Sequence, residues 1–325
     1  MAIMKKTLLT VAAALTLLMG QSLPALANDT YPDRTVRMVV PFPPGTATDM
    51  AARLVAEQLQ QSLGQSFVVE NKPGAGGSIG AMEVVRARPD GYTLMFASNS
   101  AAASNAALYK EIPYDPTKDF TPVAGTGVNT LVLMVRDDFP AQTLEEFIEY
   151  AKANPGKLNA GYGSSSSQIC ASMLAKRAGL DILTVPYKGI TLAVNDVLGG
   201  TLDFTFVDIG NAMAQEGGGR MRSIAVASAE PNALMPHVRP IAEVLPGYDI
   251  TAWFAIVGPA GIPNDIVNKL HQAIEQALKD ENMAKRLATV GVTPAVQTPE
   301  ELEAFIASEV DKWKMLVKES NIQPL

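Results

Sequence analysis

Val39-Val40-Pro41-Phe42-Pro43-Pro44-Gly45-Thr46-Ala47-Thr48-Asp49-Met50-Ala51-Ala52-Arg53-Leu54-Val55 changes character twice. Thr35–Val40 is short and mostly apolar and stops at a proline, which reads as a buried strand. Prolines then stiffen the chain, and Gly45 lets backbone approach closely. From Thr48-Asp49 onward the apolar side chains Met50, Leu54, Val55 and Leu59 recur at helical spacing to about Ser62, with Gly64 as the expected C-cap. A strand that feeds a helix through a stiff, glycine-containing turn presents unpaired N–H groups at the helix start.

The same unit recurs downstream. Ser66–Glu70 reads as a strand, Ile79–Ala87 as a helix and Tyr92–Ala97 as a strand, the spacing of parallel strands joined by right-handed crossovers. Beyond the polar connector 114–120, Leu131–Val135 begins a second set of alternating elements. These are a helix 143–153 capped by Thr143 and Glu146, a strand 159–162, a helix 168–178, a strand 183–186, a helix 191–198, and strands 204–207 and 221–227. The chain closes with an extended segment 251–258 and helices 263–278, 281–290 and one from Thr298. In the last, Leu302, Phe305, Ile306, Val310 and Trp313 form a stripe expected to pack in the core. The expected architecture is α/β, two doubly wound lobes with a cleft between them. One lobe spans 28–130 with 253–325 returning to it, and the other spans 131–252.

Residues 1–27 read as an export signal. Lys5-Lys6 precede an apolar run from Leu8 to Met19, and Ala25-Leu26-Ala27 supplies the small-x-small cleavage pattern. The run is too short for a membrane span. The chain carries a net charge of −7, and the leader contributes two lysines and no acid, so the remainder is more negative still. Such a chain lacks the basic stripe that nucleic acid requires. Its single cysteine, Cys170, sits in an apolar helix and reads as a buried small hydrophobe. Two histidines and no Cys/His cluster argue against a metal site.

In open α/β sheets, ligands sit beyond the carboxyl ends of the strands. Three segments qualify: Phe42 to Thr48, Ser98-Asn99-Ser100, and Gly163-Ser164-Ser165-Ser166-Ser167. The first and third open helices, where a carboxylate binds without any arginine. Each has a plainer role as well, since Thr48 or Asp49 would cap the helix and serines suit solvated loops. Asp208, at the end of strand 204–207, is either a cap for Asn211 or Ala212 or an acid facing the cleft. Trp253 and Phe254 read as core or hinge packing. Gly76-Gly77-Ser78-Ile79-Gly80 fits G-x-S-x-G, but a loop rather than a strand precedes it, and an ordered triad is missing. Gly74-Ala75-Gly76 lacks the final glycine of a dinucleotide loop.

Taken in order, Tyr31-Pro32-Asp33-Arg34, Val39–Gly45, Val69-Glu70-Asn71-Lys72-Pro73-Gly74-Ala75-Gly76-Gly77, Pro89–Leu94, Tyr114-Asp115-Pro116, Ala153–Leu158, Val185–Gly189 and Leu198-Gly199-Gly200 resemble the Bug, or TctC, family. Its members are periplasmic solute-binding proteins of tripartite tricarboxylate transporters. The resemblance implies a Venus-flytrap fold closing on a small carboxylate, usually a dicarboxylate, and a monomer that serves membrane subunits of the transporter. It implies no cofactor, no metal and no catalysis. It also implies that the turn Phe42–Thr48 holds one carboxylate through backbone groups and two bridging waters. By the same likeness Phe42, Gly45, Thr46, Ala47, Thr48, Ser98, Asn99, Tyr162, Gly163, Ser164, Ser165, Ser166 and Asp208 form the ligand site. Two departures fall where specificity is set: Thr46 replaces a second glycine, and Gln168 replaces a histidine. Tyr162 is expected to crowd or stack on the distal part of the ligand. A ligand sensor acting through a partner and a cell-envelope serine hydrolase are the competing readings.

Overall fold

The computed structural model describes residues 31–325; the expected leader, residues 1–27, lies outside them. From Pro32 onward the described residues form a two-lobed α/β fold around ten strands. Strand β1 (Val36–Val40) is central and parallel to β2 (Phe67–Asn71) and β3 (Thr93–Ser98). Val36, Met38, Val39 and Val40 have no exposed surface, as a strand covered on both faces requires. Helix α1 (Ala47–Leu63) covers one face with Ala51, Ala52, Val55, Ala56 and Leu59, and ends at Gly64 in the left-handed conformation that the sequence indicated. Helix α2 (Ser78–Val85) makes the second crossover.

Strand β4 (Phe120–Arg136) is the spine of the molecule. Its first part, Phe120–Thr130, pairs antiparallel with β9 (Thr251–Pro259), which also borders β3, and over Gly125–Asn129 with β10 (Val292–Gln297) on the other side. Its last part, Leu131–Arg136, pairs with β7 (Phe204–Asp208) and β8 (Met221–Val226). β7 continues through β5 (Leu158–Tyr162) to β6 (Ile182–Pro186), both parallel. The chain therefore changes sheet partners between Thr130 and Leu131 without breaking its extended backbone.

The short helix α3 (Asn105–Leu108) follows β3, and α4 (Leu144–Ala153), α5 (Ser165–Ala178), α6 (Ile190–Leu198) and α7 (Ile209–Gly217) flank the second half of the sheet. Helices α8 (Asn264–Lys279), α9 (Glu281–Thr289) and α10 (Pro299–Glu319) close the chain. Thr298 and Glu301 form a capping box at the start of α10. Leu302, Ile306, Val310 and Trp313 are buried, while Phe305 is partly so and packs edge-on against Trp253. Trp253 and Trp313 both donate from Nε1 to the buried Glu309 carboxylate, at 2.8 and 3.2 Å. Cys170 is buried beneath Tyr248, whose hydroxyl donates to the Cys170 carbonyl at 2.7 Å.

Candidate functional site

The turn after β1 is held from beneath by one carboxylate. Asp49, in the first turn of α1, accepts from the Gly45 N–H at 2.9 Å and from Asn71 Nδ2 at 2.8 Å, and pairs with Arg53 at 2.9 Å. Asn71 Nδ2 also reaches the Phe42 carbonyl at 3.0 Å, so β2 and α1 clamp the turn together. Burial opposes ionisation of Asp49, but Arg53, Asn71 and the Gly45 N–H outweigh it and hold the carboxyl below its usual range. The N-cap is Thr46, not Thr48 or Asp49. Thr46 is extended at φ −76 and ψ 159, its Oγ1 accepts from Asp49 N at 3.4 Å, and it donates to the Pro43 carbonyl at 2.9 Å. With Asp49 N–H capped, the N–H groups of Ala47 and Thr48 remain as the donors of this helix start.

Helix α5 begins in the same manner. Ser164 is its N-cap, and Ser164 and Ser167 cap one another reciprocally. The neighbouring hydroxyls are engaged elsewhere. Ser165 Oγ meets Ser100 Oγ at 2.7 Å and accepts from Ser104 Oγ at 2.6 Å. Ser166 Oγ lies 2.9 Å from Asn99 Nδ2 and 3.2 Å from Asn99 Oδ1. Ser100–Ser104 is a π-helical turn directly after β3, and π-turns concentrate at functional positions. Of the serine run, Ser164 and Ser167 thus spend their side chains capping the helix, Ser165 and Ser166 spend theirs on residues that follow β3, and the N–H groups of Ser165 and Ser166 remain as donors.

Between these two helix starts lies a cavity of about 80 Å³. Its walls include Phe42, Thr46, Ala47, Thr48, Ser98, Asn99, Gly163, Ser164, Ser166 and Asp208, ten of the thirteen sequence-indicated residues. Gly45 stands behind the turn, bonded to Asp49, and does not line the cavity. Tyr162 and Ser165 line an adjoining recess of about 300 Å³ with Tyr109, Gln168, Tyr187 and Lys188, where burial pushes both the Tyr109 and Tyr162 phenols up. Ser100, named in the second candidate segment, also lines the cavity; sequence reasoning missed Asn129, Leu131, Gly189, Ile190, Phe206 and Ala252, and read Phe254 chiefly as packing. Among the described residues no lysine, arginine or histidine borders the cavity.

Asp208 combines both roles weighed for it. It caps α7, accepting from Asn211 N at 3.0 Å and Asn211 Nδ2 at 2.6 Å, and it also borders the cavity. The residue as a whole is half-buried, while the carboxyl is surrounded by protein. This burial raises its pKa above the ordinary range against the opposing pull of Asn211. Ser78, in the G-x-S-x-G match, starts α2 after a 3₁₀ turn rather than a strand, and Asn105 donates to its hydroxyl at 3.1 Å.

The cavity has the size and the uncharged donors of a site for a small anion. Residues 51–322 match the model of the tripartite tricarboxylate transporter family receptor, TctC. This chain belongs to that family. It is similar to protein BugT of Bordetella pertussis, with 35% identity over 91% of this receptor and 92% of its relative. Among solved structures it resembles a protein of R. palustris determined with adipate (31% identity, TM-score 0.88, covering 91% of this chain and 100% of the other). It also resembles the periplasmic binding protein BugD (33% identity, TM-score 0.84, 90% and 99%). The chain is thus one of a family of periplasmic solute-binding proteins rather than enzymes, and relatives have been solved with adipate and with bound malate. Among the described residues no group of three or more His, Cys, Asp or Glu is placed to hold a metal.

Proposed function

We propose that this receptor captures a small dicarboxylate in the periplasm and presents it to the membrane subunits of a tripartite transporter. One observation carries the reading: two capped helix starts, one from each lobe, face a single small cavity without a cationic side chain. Each helix start offers two backbone N–H donors and the positive end of a helix dipole, which suits one carboxylate apiece. The ligand in the R. palustris structure, adipate, is a dicarboxylate and supports the class. We assign 28–130 and 253–325 to one lobe and 131–252 to the other, a division supported by the partner exchange of β4. Ligand bridging the two helix starts would draw the lobes together. The sequence of residues 1–27 supports export, and the receptor is taken to act as a monomer.

The test is a melting-shift series with purified protein, unfolded and refolded to strip bound ligand, against matched mono-, di- and tricarboxylates. At a hundredfold excess over Kd a ligand adds about 2.7 kcal/mol to folding stability. A dicarboxylate should raise the melting temperature and its monocarboxylate counterpart should not. Equal responses to mono- and dicarboxylates, or none to either, would refute the two-terminus reading.

A further inference from the structure

The recess beside the cavity is the larger of the two spaces, about 300 Å³ against about 80 Å³, and Phe42, Gly163 and Ser164 are walls common to both. One side of it is made by the turn Gly74-Ala75-Gly76-Gly77, the glycine-rich motif that fits no dinucleotide loop. All four residues have positive φ, at 130°, 47°, 62° and 96°. For Ala75 that conformation is strained, and strained backbone concentrates at ligand clamps and switches. Gly76 also has a steric reason to be glycine, because a Cβ there would lie 2.9 Å from the Tyr109 hydroxyl. The turn thus brings backbone up to the recess and lets the Tyr109 phenol lie against it.

Tyr109 follows α3 and Tyr162 ends β5, so the two phenols reach the recess from opposite lobes of the division proposed above. Neither hydroxyl makes a hydrogen bond among the described residues, and both oxygens keep accessible surface. Burial raises both pKa values, and the nearby Tyr109 adds to the rise at Tyr162. Both groups therefore stay protonated at neutral pH and offer O–H donors. The Gln168 side-chain amide and the Lys188 ammonium are likewise without a partner among the described residues, while the Tyr187 hydroxyl is committed to the Asp196 carboxylate. Among the described residues no Asp or Glu side chain borders the recess. Unengaged donors, one cation and no acidic side chain favour an anion. The rings of Phe42, Tyr109, Tyr162 and Tyr187 favour a flat apolar body.

We propose that this recess is a second ligand site, separate from the cavity between the helix starts, and that it takes a small aromatic monocarboxylate. The carboxylate accepts from the Tyr109 and Tyr162 hydroxyls, with Gln168 and Lys188 beside them, and the ring lies among the aromatic walls. The assignment does not depend on the dicarboxylate reading, since the two spaces offer different donors.

Calorimetric titration of the refolded full chain with benzoate, alone and with adipate at saturation, tests it. Benzoate should bind once per chain and no more weakly when adipate is present. Cyclohexanecarboxylate, of similar size but not flat, should bind more weakly than benzoate. A hydrogen bond to a charged group corresponds to about tenfold to a hundredfold in affinity. Tyr109→Phe and Tyr162→Phe, which keep the ring and remove one hydroxyl, should each weaken benzoate by about that factor. Melting without ligand separates this from a structural role. Neither hydroxyl is bonded within the protein, so neither variant should melt lower than wild type, and a fall would overturn the assignment of that hydroxyl. Failure of benzoate to bind, its displacement by adipate, equal binding of cyclohexanecarboxylate, or undiminished affinity in both variants would overturn the proposal. If adipate does not bind, the dicarboxylate reading fails on its own, and the benzoate titrations of wild type and variants still decide this one.

Discussion

Replacing Gly163 by alanine tests whether the second-lobe wall of the cavity is fixed by backbone contact. A Cβ on Gly163 would lie 2.2 Å from the nitrogen of Ile190, 2.4 Å from the carbonyl carbon of Gly189 and 2.7 Å from the Ile190 Cα. Ordinary contact begins near 3.4 Å, so the two segments must separate by more than 1 Å. All three atoms are backbone, and no rotamer change relieves the clash. Gly163, Gly189 and Ile190 all border the cavity, so the displacement occurs at the site itself. Overpacking of this kind costs about 1–3 kcal/mol, with the upper end expected where backbone must move. For a chain of this size that lowers the melting temperature by roughly 5 °C. A misplacement of about 1 Å in a binding group lowers its effectiveness by about two orders of magnitude. Gly45→Ala is the control. Gly45 has φ +80 and nothing within 4 Å of a Cβ, so the substitution adds only left-handed strain, about 1–2 kcal/mol, and leaves the walls in place. Melting curves and calorimetric titration of both variants should show a small stability loss for Gly45→Ala and loss of both stability and affinity for Gly163→Ala. A Gly163→Ala protein that melts and binds like wild type would refute the contact reasoning.

Two further outcomes follow from the carboxylates. Asp208 has a raised pKa in the folded protein, so its contribution to stability declines as pH rises from the unfolded value, about 3.9, through the folded one. Asn caps a helix as well as Asp does, so Asp208→Asn without ligand should melt higher than wild type at pH 7, with the difference closing toward acid; a lower melting temperature at pH 7 would contradict this. Asp49 has the opposite sign, because its depressed pKa stabilises the fold above the unfolded value and that stabilisation is lost as pH falls through the folded one. Asp49→Ala leaves Gly45 N–H and Asn71 without this acceptor and should cost about 1–3 kcal/mol at pH 7, read by denaturant unfolding. It should also flatten the acid limb of the stability profile, and an unchanged limb would show that Asp49 does not titrate with folding.

The strand–turn–helix opening and the capped termini of α1 and α10 were legible because their signals are local. The identity of the α1 cap was not. Thr46, Thr48 and Asp49 are all competent caps, and the choice rests on which residue is extended while its successor is helical. β4 is much longer than the strand 131–135 read from the sequence, because Pro122, Gly125 and Gly127 interrupt the apolar pattern of its first part. Those glycines are required by tertiary packing, since a Cβ at Gly125 would meet Gln297 at 2.6 Å and one at Gly127 would meet Val292 at 2.7 Å, both from β10. β10 itself escaped because Pro294 interrupts it, and proline is tolerated there because β10 pairs on one side only, with β4. Asn129 was invisible for the same reason as β4. A polar residue in the stretch Gly127-Val128-Asn129-Thr130 becomes buried only once strands distant in sequence close on both its sides.

The serine-rich start of α5 explains how recognition and closure can use the same few residues. Its Ser165 and Ser166 hydroxyls bond across to Asn99, Ser100 and Ser104, and Gly163, Ser164 and Ser166 border the cavity. On the proposed reading the hydroxyls hold the lobes together and the N–H groups hold the ligand. The anion is then met by helix ends rather than by cations. A cation would have to be desolvated on closure, and it would fix the position of its counter-charge closely. Helix ends carry no desolvation cost of that size, and they accept any carboxylate that reaches them. Selectivity must then come from the rest of the wall, which is apolar apart from Asn129, Asp208 and the polar side chains of the two loops. Changes to those few side chains would redirect the ligand without disturbing the hydroxyl contacts between the lobes.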